Sequence, residues 1–366
     1  MRYKLMHLDK ECLSFEISED AKVSDTLVTN ASEVPFYLKA YLNDSVLGYE
    51  IANWLDRRLI PMTRDKYERL KGLNKNLNRF ESRIKIVLDN LAISLTDCYW
   101  VKKETDDRLW SEVNYFENNF ENNLIDILID TPGLGRVIDI KNNPSYALDG
   151  HLPKTWIIEN GKRILLKAGL NYDFGESKIE LTMSKILDVI GYEHIKYYEY
   201  NYKADTYSAC ECAIGNYEDF VSAYDFYIGT FGEGEQDINK LINILPESIA
   251  TKLKEMITID YVFFNKDRHW SNFGFIFDAK TCEMKRMFPI YDNGMCLYAN
   301  AEKGIGKEID SQMIYSDSVK LKDLCLRHNS KTMWDKSCFD LLDYNKKLKN
   351  LCIERYNSLS DDGNKI

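Results

Sequence analysis

The hydrophobic pattern changes period along the chain. Near the start, "YKLMHLD" and "CLSFEIS" mix apolar and polar positions around a short polar link, which predicts a β-hairpin over residues 1 to about 19. From Asp44 to Leu95 the spacing becomes helical. "SVLGYEIANWLDRRL" carries Val46, Leu47, Ile51, Trp54 and Leu55 on one face, and Pro61 stops the run. "TRDKYERLKGL" starts a further helix behind Thr63 as its cap, and "FESRIKIVLDNLAI" continues the pattern. Trp100, Trp110, Tyr115, Phe116 and Phe120 form an aromatic-rich patch, read as core or domain interface. Residues 130–150, "DTPGLGRVIDIKNNPSYALDG", are rich in Gly, Pro and Asn and read as a linker or boundary.

After Gly150 the pattern shortens again. "KTWIIE" and "KRILLK" are apolar runs joined by Asn160-Gly161, the strongest short hairpin signal. "ESKIELTMSKILDVIG" places Ile179, Met183, Ile186, Leu187 and Ile190 on one helical face and ends at Gly191 as a C-cap. Two strand-like runs follow, "IKYYEYNY" and "TYSACECAI". Strand, turn, strand, helix, strand, strand is the plan of a kinase N-lobe, in which a strand lysine meets a glutamate of the next helix. Lys167 ends the second strand. Glu180, in the middle of the helix, is its preferred partner, and Glu176, one turn earlier, is the alternative.

Composition narrows the function classes. The 366 residues suffice for more than one domain, and 45% hydrophobic with 29% charged residues is an ordinary globular balance. The net charge of −10 argues against direct nucleic-acid binding. No apolar run approaches a membrane span, and "MRYKLMHLDKE" lacks a signal peptide's apolar core, so a cytoplasmic protein with no membrane partner is expected. Nine scattered cysteines without a C-x-x-C pair read as buried free thiols in a reducing compartment. The five histidines show no metal-ligand spacing.

The segment "DYVFFNKDRHWSNFGFIFD", Asp260 to Asp278, interrupts apolar text with a polar loop. Within it, Asp267 and Asn272 have the D-x-x-x-x-N spacing of a kinase catalytic loop. The aspartate of such a loop accepts a hydrogen bond from the attacking hydroxyl, and the asparagine carbonyl binds a phosphate-bridging metal. Twenty residues after Asn272, "PIYDNG" sets Asp292 where a second Mg²⁺ ligand belongs. Between the two, "FGFIFD" and "CEMKRMFPIY" read as a hairpin.

These pieces, in this order, resemble the HipA-like family of bacterial serine/threonine kinases. "IDYVFFNKDRHWSNFGFI" resembles that family's N-x-D-x-H-x-x-N catalytic segment, and "FPIYDNGMCL" its metal-binding segment. "GHLPKTWIIENGKRILLK" resembles its phosphate loop and ATP-lysine strand, and "ESKIELTMSKILDVIG" its regulatory helix. The likeness covers about residues 140–350. "WLDRRLIPMTR", "ISLTDCYWVKK" and "WSEVNYFENNF" resemble a region that accompanies HipA-like domains in Gram-positive bacteria.

The resemblance implies an α+β, bilobal protein-kinase-like fold, with a small β-rich N-lobe over residues 136–215 and a mainly helical C-lobe over 216–366. An additional, mostly helical N-terminal domain, a β-hairpin plus helices, would occupy 1–135. It implies ATP and Mg²⁺ as cofactors, Asp267 as catalytic base, and Asn272 and Asp292 as metal ligands. Lys167 and Glu180 would serve the nucleotide phosphates, as would Gly150 and Lys154 of the phosphate loop. Backbone at Glu211, Cys212 and Ala213 would form the adenine hinge. His269 would orient the loop, and Arg268 would contact a phosphate or pair with an acid. The family's regulatory serine lies a few residues before the loop glycine; here the one serine of "SYALDGHLPK" is Ser145, five residues before Gly150. The implied activity is protein serine/threonine phosphorylation of an unidentified protein substrate, with an antitoxin-like regulator as partner. The alternatives are a small-molecule or lipid kinase on the same fold and a nucleotide-binding pseudokinase.

Overall fold

Alternating apolar positions at the N-terminus close into a sheet larger than a hairpin. The computed structural model describes residues 1–62, 79–122, 125, 143–150, 152–170, 175–203, 205–265, 267–297, 321–327 and 334–361. Strands β1 (Arg2–His7), β2 (Lys10–Ile17), β3 (Val23–Val28) and β4 (Tyr99–Lys103) form an antiparallel sheet in the order β3-β2-β1-β4. β3 and β4 go beyond the sequence expectation. β3 is a largely solvated edge strand with little apolar signal, and β4 reaches β1 only after a long excursion through helices. That excursion holds α1 (Phe36–Lys39), α2 (Leu47–Asp56) and α3 (Phe80–Asp89); α4 (Trp110–Val113) follows β4. The helix expected behind Thr63, and residues 130–142 of the expected linker, lie outside the described residues.

A second antiparallel sheet contains β5 (Lys154–Glu159), β6 (Lys162–Gly169), β7 (Tyr198–Tyr202) and β8 (Asp205–Glu211), in the order β5-β6-β8-β7. Its hairpin turns on Asn160 (φ 52°) and Gly161 (φ 76°), the paired positive φ values that select Asn-Gly. Helix α5 (Glu176–Ile190) connects β6 to β7 and ends at Gly191. The two faces of this sheet go different ways, as period-2 alternation requires. Ile157, Ile164, Leu166 and Ala209 join one hydrophobic cluster with the N-terminal sheet, whereas Cys210 packs with Leu181 of α5 and Tyr197. Tyr146 and Leu148 belong to the first cluster too, with Ala147 against it: the Tyr146 hydroxyl donates to the Asn90 and Ile93 carbonyls. The aromatic patch is core: Trp100, Trp110, Tyr115 and Phe120 are buried there.

The remaining lobe is mostly helical. A three-stranded sheet of β9 (Glu218–Ser222), β10 (Gly274–Asp278) and β11 (Met284–Met287) packs with α6 (Ala223–Phe231), α7 (Ile238–Ile244), α8 (Glu247–Val262), α9 (Leu321–Arg327) and α10 (Lys346–Asp361). β10 and β11 are the hairpin expected from "FGFIFD" and "CEMKRMFPIY". The N-terminal region also bridges to this lobe, through Arg57 to Asp225 at 2.8 Å and the Tyr41 hydroxyl to Glu233 at 2.6 Å. All nine cysteines are free thiols, and among the described residues no helix is long and apolar enough to cross a membrane.

Candidate active site

Three segments far apart in sequence meet at Lys167. Strand pairing in β6 turns its side chain to the α5 side of the sheet, where it is buried. Its ammonium donates to Glu180 Oε1 at 2.5 Å and to the Tyr197 hydroxyl at 3.1 Å, and it lies 3.6 Å from Asp292 Oδ1. Burial pushes the Lys167 ammonium down, but Glu180, Tyr197 and Asp292 outweigh it and hold the group well above the usual lysine range. Glu180, not Glu176, is therefore the partner. Glu176, at the start of α5, instead abuts the loop after Asp292: a Cβ at Gly294 would lie 3.1 Å from the Glu176 Cβ, a tight contact that a larger residue makes only if the helix start gives by a few tenths of an ångström.

Asp292 itself sits at φ 56°, a left-handed conformation uncommon outside glycine and tolerated by Asp and Asn. Its side chain keeps 41% of its accessible surface. Partial burial pushes the carboxyl up, but Lys167, Lys154, Arg268 and His269 pull harder, so it stays below the ordinary carboxylate value and is anionic at neutral pH. Lys154 stands directly opposite Lys167 in the β5–β6 register, so both side chains leave the same face. Its ammonium folds back over Gly150, 2.6 Å from where a Cβ would stand. Gly150 and Lys154 thus meet each other, and the charge of Lys154 is felt at both Glu180 and Asp292.

Short-range hydrogen bonds shape the loop at Asn265 and over 267–272. The Asp267 N–H donates to Asn265 Oδ1 at 3.0 Å, and the Asn265 amide donates to Asp260 Oδ1 at 2.9 Å. The Asn272 amide nitrogen donates to the Asp267 carbonyl at 2.9 Å, so the amide oxygen is the atom that could meet a metal. Asp267 and His269 are exposed, whereas Asn272 is buried. The His269 ring accepts the Ser271 N–H at 3.2 Å, a bond within the local turn.

Arg268 faces the opposite way and is fully buried. Its guanidinium donates to both Asp260 oxygens at 3.0 and 3.2 Å, to the carbonyls of Asn272 at 2.8 Å and Tyr291 at 2.6 Å, and to Asn293 Oδ1 at 2.6 Å. Of the two roles open for Arg268, the structure thus corrects the phosphate contact and keeps the acid pair. It clasps the Asp267 loop to the residues flanking Asp292, and the Tyr291 hydroxyl adds a bond to the Ser271 carbonyl at 2.7 Å. Asp260, Asn293 and Tyr197 are the members that sequence reasoning missed, and Asn265, the first asparagine of the N-x-D-x-H-x-x-N segment, gains a role only here. Asp260 did carry a signal: a carboxylate inside the apolar run of α8 needs a buried cation.

At residues 211–213, where the resemblance implies the hinge, the Cys212 N–H donates to the Arg163 carbonyl and Glu211 pairs with Lys162 at 2.6 Å on the surface. Ala213 packs beside Cys210, Leu165, Phe288 and Tyr291 in a small apolar cluster. Ser145 is fully buried, its hydroxyl accepting the Trp156 N–H at 2.8 Å and bonded to Thr155 at 2.9 Å. The donors Asp292 and Asn272 are hard oxygens, which suit Mg²⁺, and two lysines nearby suit phosphate.

No family model matches the chain, and no curated protein matches its sequence. Solved structures do. The chain is similar to the HipA of a Shewanella oneidensis toxin–antitoxin complex with HipB and operator DNA: TM-score 0.56, 13% identity, covering 98% of this chain and 95% of that one. A Helicobacter pylori proinflammatory kinase, CtkA, aligns with TM-score 0.45 and 17% identity over 57% of this chain and 90% of that one. With the first likeness spanning nearly the whole of both chains, this protein has the fold of that HipA.

Proposed function

We propose that this chain is an ATP- and Mg²⁺-dependent protein serine/threonine kinase of HipA-like type. The observation that carries the reading is the convergence on Lys167 of Glu180 at 2.5 Å and Asp292 at 3.6 Å. When bound, ATP with Mg²⁺ supplies the phosphoryl group and the charge that draws electrons from it. Lys167 and Lys154 hold phosphate oxygens, and Asp292 with the Asn272 amide oxygen holds the metal. Backbone near Ala213 holds the base. Asp267, exposed at the rim, accepts the proton of an incoming protein hydroxyl. Arg268 acts as a positioning residue that keeps the Asp267 loop and Asp292 in register. The neighbouring HipA forms a complex with HipB and operator DNA, which supports an antitoxin-like protein as regulator of this chain too.

The test is transfer of labelled γ-phosphate to protein by the full chain. Asp267→Asn keeps ATP–Mg²⁺ affinity close to wild type while the transfer rate drops by roughly 10²–10⁴. Unchanged transfer in that variant overturns Asp267 as base. Label found only in lipid or small molecules overturns the protein-substrate reading.

A further inference from the structure

His7, Glu33 and Cys282 are 26 and 249 positions apart in sequence and belong to different elements. His7 ends β1, Glu33 closes a short turn at Ala31–Glu33, and Cys282 lies in the β10–β11 turn. Their ligand atoms all lie within 4.8 Å of one another. His7 Nδ1 stands 2.6 Å from Glu33 Oε2, and the Cys282 thiol stands 3.3 Å from the same oxygen.

The other face of His7 is also fixed. Nε2 lies 2.8 Å from Asp219 Oδ2, and the second Asp219 oxygen accepts the Cys98 N–H at 2.7 Å. The ring stacks on Tyr99 at 4.3 Å, so it cannot swing away. A histidine whose far nitrogen is held by a carboxylate is the arrangement that orients metal-ligating imidazoles. With Nε2–H donated to Asp219, the Nδ1 lone pair faces a carboxylate oxygen at 2.6 Å. At that distance a proton fills the gap, and a metal ion would take the proton's place only as the two ligand atoms move apart to coordination distance.

We propose that His7 Nδ1, Glu33 Oε2 and Cys282 Sγ bind a zinc-class divalent cation, separate from the nucleotide site. One imidazole, one carboxylate and one thiolate form a borderline donor set that fits Zn²⁺ and fits Mg²⁺ or Ca²⁺ poorly. Binding releases the protons of the His7–Glu33 contact and of the Cys282 thiol. Lys10 holds the remaining Glu33 oxygen at 2.5 Å and keeps that carboxylate in place. A fourth ligand would have to come from water on the side of Cys282, the least buried of the three residues. The ion ties the N-terminal sheet to the hairpin whose second strand runs on to Asp292.

The experiment uses the full chain, purified without a metal-affinity tag, stripped with chelator and titrated with Co²⁺. One equivalent is expected to give a sulfur-to-cobalt charge-transfer band in the near ultraviolet. Cobalt at Asn272 and Asp292 gives no such band, because those donors are oxygens. Cys282→Ser loses the band while circular dichroism stays native, and Asp219→Asn weakens Zn²⁺ binding by roughly 10–100-fold. Absence of the band in the wild type, or its persistence in Cys282→Ser, overturns the proposal.

Discussion

Replacing Arg268 by methionine separates holding the site together from doing its chemistry. Arg268 and Asp260 are both fully buried, so the guanidinium leaves behind a carboxylate that no water reaches. Breaking a buried pair from one side costs about 3–5 kcal/mol, a large part of a typical stability of roughly 5–15 kcal/mol. The three bonds to Asn272, Tyr291 and Asn293 are lost as well. Arg268→Met should therefore lower the urea midpoint sharply, followed by circular dichroism. Adding Asp260→Leu removes the stranded charge, and the double variant should recover about 1–3 kcal/mol over Arg268→Met alone. Phosphoryl transfer should not recover with it, because both variants lose the guanidinium bonds that clasp the Asp267 loop to the residues flanking Asp292 and keep only the Tyr291–Ser271 bond. Arg268→Lys should also lose transfer, since an ammonium cannot span the fork. Wild-type stability in Arg268→Met, or single-turnover transfer at full rate in either variant, would refute the reasoning.

Other positions give separate readouts. Asp292→Asn keeps a residue that tolerates left-handed backbone but loses the metal's charge partner, so calorimetric ATP–Mg²⁺ affinity and turnover fall together, unlike Asp267→Asn. Lys167→Met strands Glu180 and should abolish transfer and weaken ATP binding; tight ATP binding in a folded Lys167→Met protein would remove Lys167 from the phosphate site. Gly294→Ala pushes a methyl against Glu176 and should cost about 1–3 kcal/mol with loss of turnover, read by thermal melting beside the transfer assay. Burial holds the His194 imidazole below its ordinary 6.5, against bonds to Tyr192 and Ser184. A depressed folded pKa means its stability is present above 6.5 and is lost as pH falls through and below that value. His194→Gln should flatten the melting temperature against pH over that acid window.

Local text determined the elements whose causes are local. Asn160-Gly161 sets its turn because both φ values must be positive, and α5 is written in its period and its Gly191 stop. The order of Lys167, Asp267, Asn272 and Asp292 pointed to a kinase plan because one cleft needs those groups from successive segments. Pairing was another matter. Glu176 and Glu180 lie one turn apart on the same helix, and only the packing of α5 on β6 decides that Glu180 meets Lys167 while Glu176 meets Gly294. Arg268 could read as phosphate ligand or ion pair until burial beside Asp260 decided it. β4 joins β1, and His7 meets Glu33, Asp219 and Cys282, across separations at which spacing carries no signal. Such contacts depend on which faces are desolvated against each other, and that is set by the whole chain at once.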